Sequence, residues 1–343
     1  MTSMSEIIRS PFFYVGDKYK LMRAIKRFFP QTIQNYVEPF VGGGSSFLNV
    51  KATRYLLNDV DPFVVLLHQK ISSYSNDKQR LFDELFALIE RYRFSCSFKG
   101  ITAPEELKRQ FVKTYYARYN KEAYERLRDD FNVDRTNALL LYLLVVYGFN
   151  HMLRFNSSGR FNLPVGNVDF NKNVYLALNN YLDFVRPRKI EFHNDDYQKF
   201  LSKLTLTKDD FVYFDPPYLI SSSEYNKLWN ESEERRLYET LDELNSRGIK
   251  FAITNLLTHK GATNRLFERW ITQYHAFKIK SNYISFNDNS VKKDSQEMLV
   301  CNYESNVSNP SVLDSLRKPS HTSTSALETP EKCYLFDVAM FRG

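Results

Sequence analysis

At 343 residues, with 43% hydrophobic and 25% charged residues and only 11 Gly and 12 Pro, the chain can form two modules or one large α/β domain carrying an insertion, and collagen-like, low-complexity and wholly disordered readings are excluded. A surplus of 47 Lys and Arg over 40 acidic residues, +7 overall, suits a polyanionic partner without requiring one. Three scattered cysteines, Cys96, Cys301 and Cys333, exclude a disulfide framework and a spaced zinc site and fit a reducing cytoplasm, and no stretch reads as a signal peptide or a membrane span.

Leu21, Ile25 and Phe28 recur at helical spacing between basic residues, which predicts an opening helix over 21–29 ended by Pro30. Residues 35–40 read as a strand running into the turn Gly42-Gly43-Gly44, after which Ser45 and Ser46 can cap a helix. A second strand over 54–57 ends at Asn58-Asp59, and Pro62 opens a helix through Gln69. From about 70 to 150 the chain is helix-like and rich in Tyr and Arg, with a buried apolar helix in the run from Ala138 to Tyr147 and on to Phe149, and this reads as an insertion. Strands resume over 189–192, 211–214 and 251–254, with a helix over 231–246 before Gly248, so one parallel-rich sheet is expected. The final 39 residues hold ten Ser or Thr and three Pro and are expected to form a flexible tail.

The sharpest local signal is Asp215-Pro216-Pro217-Tyr218, directly after an apolar strand, where α/β folds bind ligands. A tight turn would explain the prolines but not Asp215 or Tyr218. An exocyclic amine conjugated with a base is a poor nucleophile, because its lone pair is delocalised into the ring. Asp215 can accept one of its N–H groups and the Pro216 carbonyl the other, which frees the lone pair for an electrophile, and Tyr218 offers a flat face to a purine or cytosine removed from its duplex. The turn Gly42 to Gly44 is neither a P-loop nor a dinucleotide fingerprint, since Ser-Ser-Phe follows it, but its glycines allow a cofactor to approach the backbone. Asp59 at the next strand end can accept from ribose hydroxyls or cap a helix.

Arg154 and Arg160 flank a Ser-Ser-Gly turn between runs containing Phe155 and Phe161, which is plausible chemistry for a hairpin with basic arms. Its arginines can read guanine or hold phosphates, Asn156 and Asn162 suit adenine edges, and Phe155 could wedge beside an emptied stack; the bland alternative is a solvated surface hairpin. The basic helix around Arg118 to Arg128 reads as a solvated face. The six histidines form no spaced ligand set, and no metal is assigned.

Over roughly residues 9–304 the chain resembles the Dam-like DNA adenine N6-methyltransferases, including the EcoRV-type modification enzymes. Ser10-Pro11 through Gly16-Asp17-Lys18 resembles the N-terminal cofactor motif, residues 36–47 the glycine-loop motif, and Leu57-Asn58-Asp59 the acidic strand end. Residues 192–197 resemble the segment that meets the cofactor adenine, Asp215 to Tyr218 the catalytic motif, and 149–166, including Pro164, the DNA-reading hairpin. The family usually has a second glycine where Asp17 stands, and Val165-Gly166-Asn167 departs from its commonest hairpin ending. Segments at Thr254-Asn255 and 285–298 fit later motifs loosely.

The resemblance implies a Rossmann-like S-adenosylmethionine-dependent methyltransferase sheet with a helical and β-hairpin target-recognition insertion. Its expected bounds are 1–69 and 171–304 for the catalytic part, 70–170 for the insertion and 305–343 for the tail. It implies S-adenosylmethionine as cofactor, held by Tyr14, Lys18, Glu38, Phe40, Gly42, Gly43, Gly44, Asp59, Asp196 and Tyr197, and double-stranded DNA with a target beginning G-A-T as substrate. A cognate restriction endonuclease is allowed as a partner but not physically required, and a bacterial or phage-encoded cytoplasmic setting follows. Cytosine N4 methylation and non-catalytic sequence-specific DNA binding are the rival readings.

Overall fold

Short runs of aromatic and branched apolar residues, broken by proline, glycine or acidic residues, become the strands of one sheet: β1 (Asn35–Glu38), β2 (Arg54–Asn58), β3 (Lys189–His193), β4 (Phe211–Phe214), β5 (Lys250–His259), β6 (Ala262–Thr263), β7 (His275–Ile279) and β8 (Gln296–Cys301). The computed structural model describes residues 7–14, 16–221, 229–279 and 295–305. The strand order is β3-β2-β1-β4-β5-β8-β7, with β6 paired to β5. β1 to β5 run parallel, and β8 is antiparallel to both of its neighbours. The order reverses direction between β1 and β4, so the carboxyl ends of these two strands bound the crevice in which such sheets bind ligands.

Alternation along the strands divides the core. Tyr36, Tyr55, Leu57, Phe211 and Tyr213 join one hydrophobic cluster, whereas Val37, Leu56, Val212, Phe214, Phe251 and Ile253 join the other. The first face is covered by α1 (Met22–Ile25), α2 (Pro62–Ser73), α3 (Lys78–Tyr92), α5 (Tyr115–Val133), α6 (Ala138–Tyr147) and α7 (Lys172–Val185), with the short α4 (Glu105–Gln110) beside α5; α8 (Tyr197–Ser202), α9 (Glu231–Ser246) and α10 (Arg265–Trp270) cover the second. All ten residues of α6 are buried, and the Tyr142 hydroxyl donates to the Pro11 carbonyl at 3.3 Å, so the apolar run is an interior helix as its composition predicts. Residues 70–150 carry helices and no extended strand among the described residues.

Several expectations need correction. β1 stops at Glu38 rather than residue 40, because Pro39 has no N–H to continue the ladder. The opening helix narrows to Met22–Ile25. No α-helix follows the glycine turn: Phe47–Asn49 form one 3-10 turn, and Ser46 makes no capping bond because its hydroxyl is paired with Tyr36. The Asn49 side-chain amide takes the Ser45 carbonyl at 2.8 Å, the acceptor that a continuing helix would have used for a backbone N–H. The sequence reading assigned no element to α7, nor to the antiparallel strands β7 and β8. The tail lies outside the described residues from 306 on, as do 285–294 of the loosely matching late segment. Cys96 and Cys301 are buried free thiols, and among the described residues no helix is long and apolar enough to cross a membrane.

Candidate active site

β4 delivers Asp215 to the central crevice, and three polar groups meet it there. Lys18 Nζ lies 2.9 Å from Oδ1, the Thr254 hydroxyl donates to it at 3.0 Å, and the Tyr218 hydroxyl stands at 3.1 Å. Since all three address Oδ1, Oδ2 is left as an acceptor among the described residues. Thr254 comes from the neighbouring strand β5, and its hydroxyl is also paired with Tyr213 at 2.9 Å. Lys18 is almost fully buried, sits 4.9 Å from the Tyr218 ring centre and approaches Glu297 on β8 at 3.6 Å; Tyr218 donates to Glu297 Oε1 at 2.8 Å. Pro216 is buried and Pro217 half-buried, consistent with a stiff connection that holds Asp215 and Tyr218 in register.

Glu38, at the end of β1, is buried beside this cluster. Burial, and then the like charge of Asp215, push its carboxyl well above the usual range, while the hydroxyls of Tyr36 and Ser46 partly offset this. Its Oε2 is buried with no hydrogen-bond partner. Lys18 thus pairs with two carboxylates, Asp215 and Glu297, and Glu38 adds an acidic group beside Asp215.

The glycine turn beside them is shaped by contacts that a side chain would destroy. A Cβ on Gly43 would come within 2.7 Å of Tyr14 Cβ, and one on Gly44, whose φ is +80°, within 2.4 Å of the Phe47 ring and 2.9 Å of His68. Asp59 Oδ2 accepts from the Gly42 N–H at 2.9 Å and Oδ1 from the Asp61 N–H at 3.0 Å; burial raises its carboxyl to about 6 despite these bonds. The helix cap that Asp59 could have been is Asp61, which accepts from the Phe63 N–H and starts α2.

Two residues to which the sequence reading gave no role in the turn, His68 and Ser10, tie it down. His68, wholly buried on α2, bonds the Gly42 carbonyl through Nε2 at 2.9 Å and Tyr181 through Nδ1 at 3.0 Å. Burial lowers its pKa to about 4, so the neutral ring donates to the carbonyl and accepts from the phenol. Ser10 donates to the Gly43 carbonyl. The available signal for His68 was its place on the apolar face of α2 with Val64, Leu67 and Ile71.

At the edge nearer β3, Asp196 caps α8 by accepting from the Gln198 and Lys199 N–H groups and pairs with Arg236 at 2.5 Å. The Arg236 guanidinium lies over the Tyr197 ring at 4.7 Å, and that ring packs against Phe40 at 5.1 Å with Trp229 beyond it. Val60, following Asp59, is 68% exposed despite its apolar side chain.

The 149–166 segment folds back on itself, but through two isolated bridges, Gly148 to Val165 and Phe155 to Phe161, rather than a continuous ladder. Asn150 and His151, both at φ 53°, break the extended conformation near its start. Arg154 is turned along the hairpin, with Nε on Asn162 Oδ1 at 3.0 Å and Nη2 on the Asn162 carbonyl at 2.6 Å. Asn156 closes the tip by accepting from Ser158 and the Arg160 N–H, while the Arg160 side chain and Pro164 are exposed. Phe155 does not project as a wedge: it stacks on Phe63 of α2 at 4.3 Å and meets Phe161 edge-on. The ring that does reach solvent is Phe149, 51% exposed.

A family model described as D12 class N6 adenine-specific DNA methyltransferase matches residues 14–284, which include the crevice, the glycine turn and the hairpin. The chain belongs to this family. Among curated relatives, modification methylase StsI of Streptococcus sanguinis is 30% identical over 319 residues, covering 90% of this chain and 45% of its own length. Type II methyltransferase M.FokI of Planomicrobium okeanokoites is 30% identical across 86% of this chain and 43% of its own. The DNA adenine methylase of Salmonella typhi is 27% identical across 87% of this chain and 96% of its own. This D12 chain therefore spans less than half the length of the first two relatives and nearly the whole of the third.

Proposed function

We propose that this D12 chain transfers a methyl group from S-adenosylmethionine to N6 of an adenine extruded from duplex DNA. The observation that carries the reading is Asp215, held on Oδ1 by Lys18 and Thr254 with Oδ2 left to accept, at the carboxyl end of the strand bordering the switch point. The residues around the crevice fit the cofactor: Glu38 Oε2 is buried without a hydrogen-bond partner, and the glycine turn packs its bare backbone so closely on Tyr14 that a Cβ on Gly43 would clash with it. Tyr14, Lys18, Glu38, Phe40, Gly42 to Gly44, Asp59, Asp196 and Tyr197 would hold it, with Val60 adding an apolar face. When bound, it supplies an activated methyl group on a sulfonium.

The protein's own residues do the rest. Asp215 Oδ2 accepts one N6–H and the Pro216 carbonyl the other, which turns the amine lone pair away from the ring. Tyr218 stacks on the extruded base, and Asp215 takes the proton that the amine must lose after transfer. Residues 70–170 act as the target-recognition part. Within it Arg154, Asn156, Arg160, Asn162 and Pro164 form the hairpin face toward DNA, and Phe149 rather than Phe155 fills the space of the extruded base. A target beginning G-A-T, a bacterial or phage cytoplasm and an independent restriction endonuclease complete the reading.

Purified chain, tritiated S-adenosylmethionine and unmethylated duplex DNA test it. Label in DNA and N6-methyldeoxyadenosine among the digested nucleosides are expected. N4-methylcytosine would move the reaction to the rival base, and DNA binding without label would leave only a binding protein.

A further inference from the structure

Glu297 falls in the loosely matching 285–298 segment and was given no role from the sequence, yet it is the most deeply buried carboxylate in contact with this site. It sits on β8, opposite Leu256 of β5 and Ile279 of β7, and is followed by Met298, Leu299 and Val300, all wholly buried. Its own exposure is 0%, and Oε2 is buried with no hydrogen-bond partner. Burying a carboxylate in such a strand carries a desolvation penalty that its contacts must offset. What Glu297 does reach is Tyr218 and Lys18.

The Tyr218 hydroxyl has one proton and two carboxylate neighbours, Glu297 Oε1 at 2.8 Å and Asp215 Oδ1 at 3.1 Å. A phenol donates to one acceptor at a time, and the closer, better buried oxygen is the stronger claimant. We infer that Glu297 is a positioning residue for methyl transfer: it takes the Tyr218 proton, fixes the ring that stacks on the target base, and keeps Asp215 an undepleted acceptor for the target amine. This rests on the proposed methyl transfer. No chemistry passes through Glu297, whose action is exerted through Tyr218.

The test is a set of variants of the full chain: E297L, E297Q, Y218F and the E297L/Y218F pair, each measured for kcat, cofactor Kd by calorimetry and thermal midpoint. E297L is expected to hold cofactor Kd within about threefold and lose about ten- to hundredfold in kcat. E297Q, whose amide oxygen still accepts the phenol proton, is expected within about fivefold of the parent. In the Y218F background, E297L should cost less than about threefold, because the proton that Glu297 governs is gone. Undiminished kcat in E297L, an equal loss with and without the Tyr218 hydroxyl, or a folded E297Q as impaired as E297L overturns the inference; should E297L not fold, E297Q decides. A parent without methyl transfer overturns instead the reading on which this one rests.

Discussion

His68 Nε2 stands 2.9 Å from the Gly42 carbonyl, so a helix interior holds the glycine turn from beneath through one neutral imidazole. The same turn is held from its other side by Asp59, which accepts the Gly42 N–H. One peptide neighbourhood is therefore fixed through both its donor and its acceptor.

Replacing His68 by Gln should cost stability in a pH-dependent way. A histidine titrates near 6.5 when unfolded and here near 4, so between those values the unfolded chain holds a proton that the folded one does not. The contribution of neutral His68 is full above pH 6.5 and is lost as pH falls toward 4. Asp59, raised from 3.8 to about 6, runs the other way, but it is common to both proteins and cancels in their difference. Urea unfolding at pH 7 and pH 4 should show the gap between parent and H68Q narrowing by on the order of 3 kcal/mol. A gap independent of pH would mean that His68 is not neutral in the fold.

Asp215→Ala should lose at least about a hundredfold in kcat while its cofactor Kd and thermal midpoint stay near the parent's, because the group orients the target amine and does not support the sheet. Near-parental turnover in the purified variant would remove Asp215 from the chemistry.

Arg160→Ala and Arg154→Ala should differ. Arg160 is exposed at the hairpin tip, so its loss is expected either to relax discrimination at one base pair by about 1–3 kcal/mol or to lower the salt slope by about one unit. Arg154 braces Asn162, and its loss should raise KM at all sites and increase proteolysis within the hairpin. The readouts are kcat/KM on cognate and single-base-variant duplexes at two salt concentrations, and limited proteolysis. Identical profiles for the two variants would contradict this division of roles.

Phe149→Ala and Phe155→Ala should separate extrusion from packing. Phe149, exposed, is expected to leave the thermal midpoint unchanged and to reduce the fluorescence rise of 2-aminopurine at the target position. Phe155, stacked on Phe63, is expected to lower stability by about 2 kcal/mol. The opposite pattern would restore Phe155 as the wedge.

The sheet was legible where one strand is read by its own ends. β4 is four apolar residues stopped by Asp215 and two prolines, and β2 closes on Asn58-Asp59, so their places and the crevice between them follow from local chemistry. β7 and β8 were not legible, because antiparallel pairing beyond β5 depends on partners far away in sequence, and Glu297 looks like a stray acid in an apolar run until Tyr218 is brought against it. His68 was hidden for a similar reason: its spacing marks a core face of α2, but only the folded turn supplies the carbonyl it bonds. The hairpin residues could be picked from their turn signal, whereas which phenylalanine faces α2 and which faces water is decided by Phe63, ninety-odd residues before the tip.

Lys18 and Glu297, 3.6 Å apart, come from opposite ends of the described chain. Contacts so distant in sequence close late in folding, after the entropy of a very long loop has been surrendered. On the ribosome the surroundings of Tyr218 therefore stay incomplete until β8 has cleared the exit tunnel, although Asp215 and the glycine turn are made long before. A nascent chain arrested between β7 and β8 would carry Asp215 and the glycine turn and still lack the carboxylate that orients its tyrosine, so the site is completed only once β8 has been made.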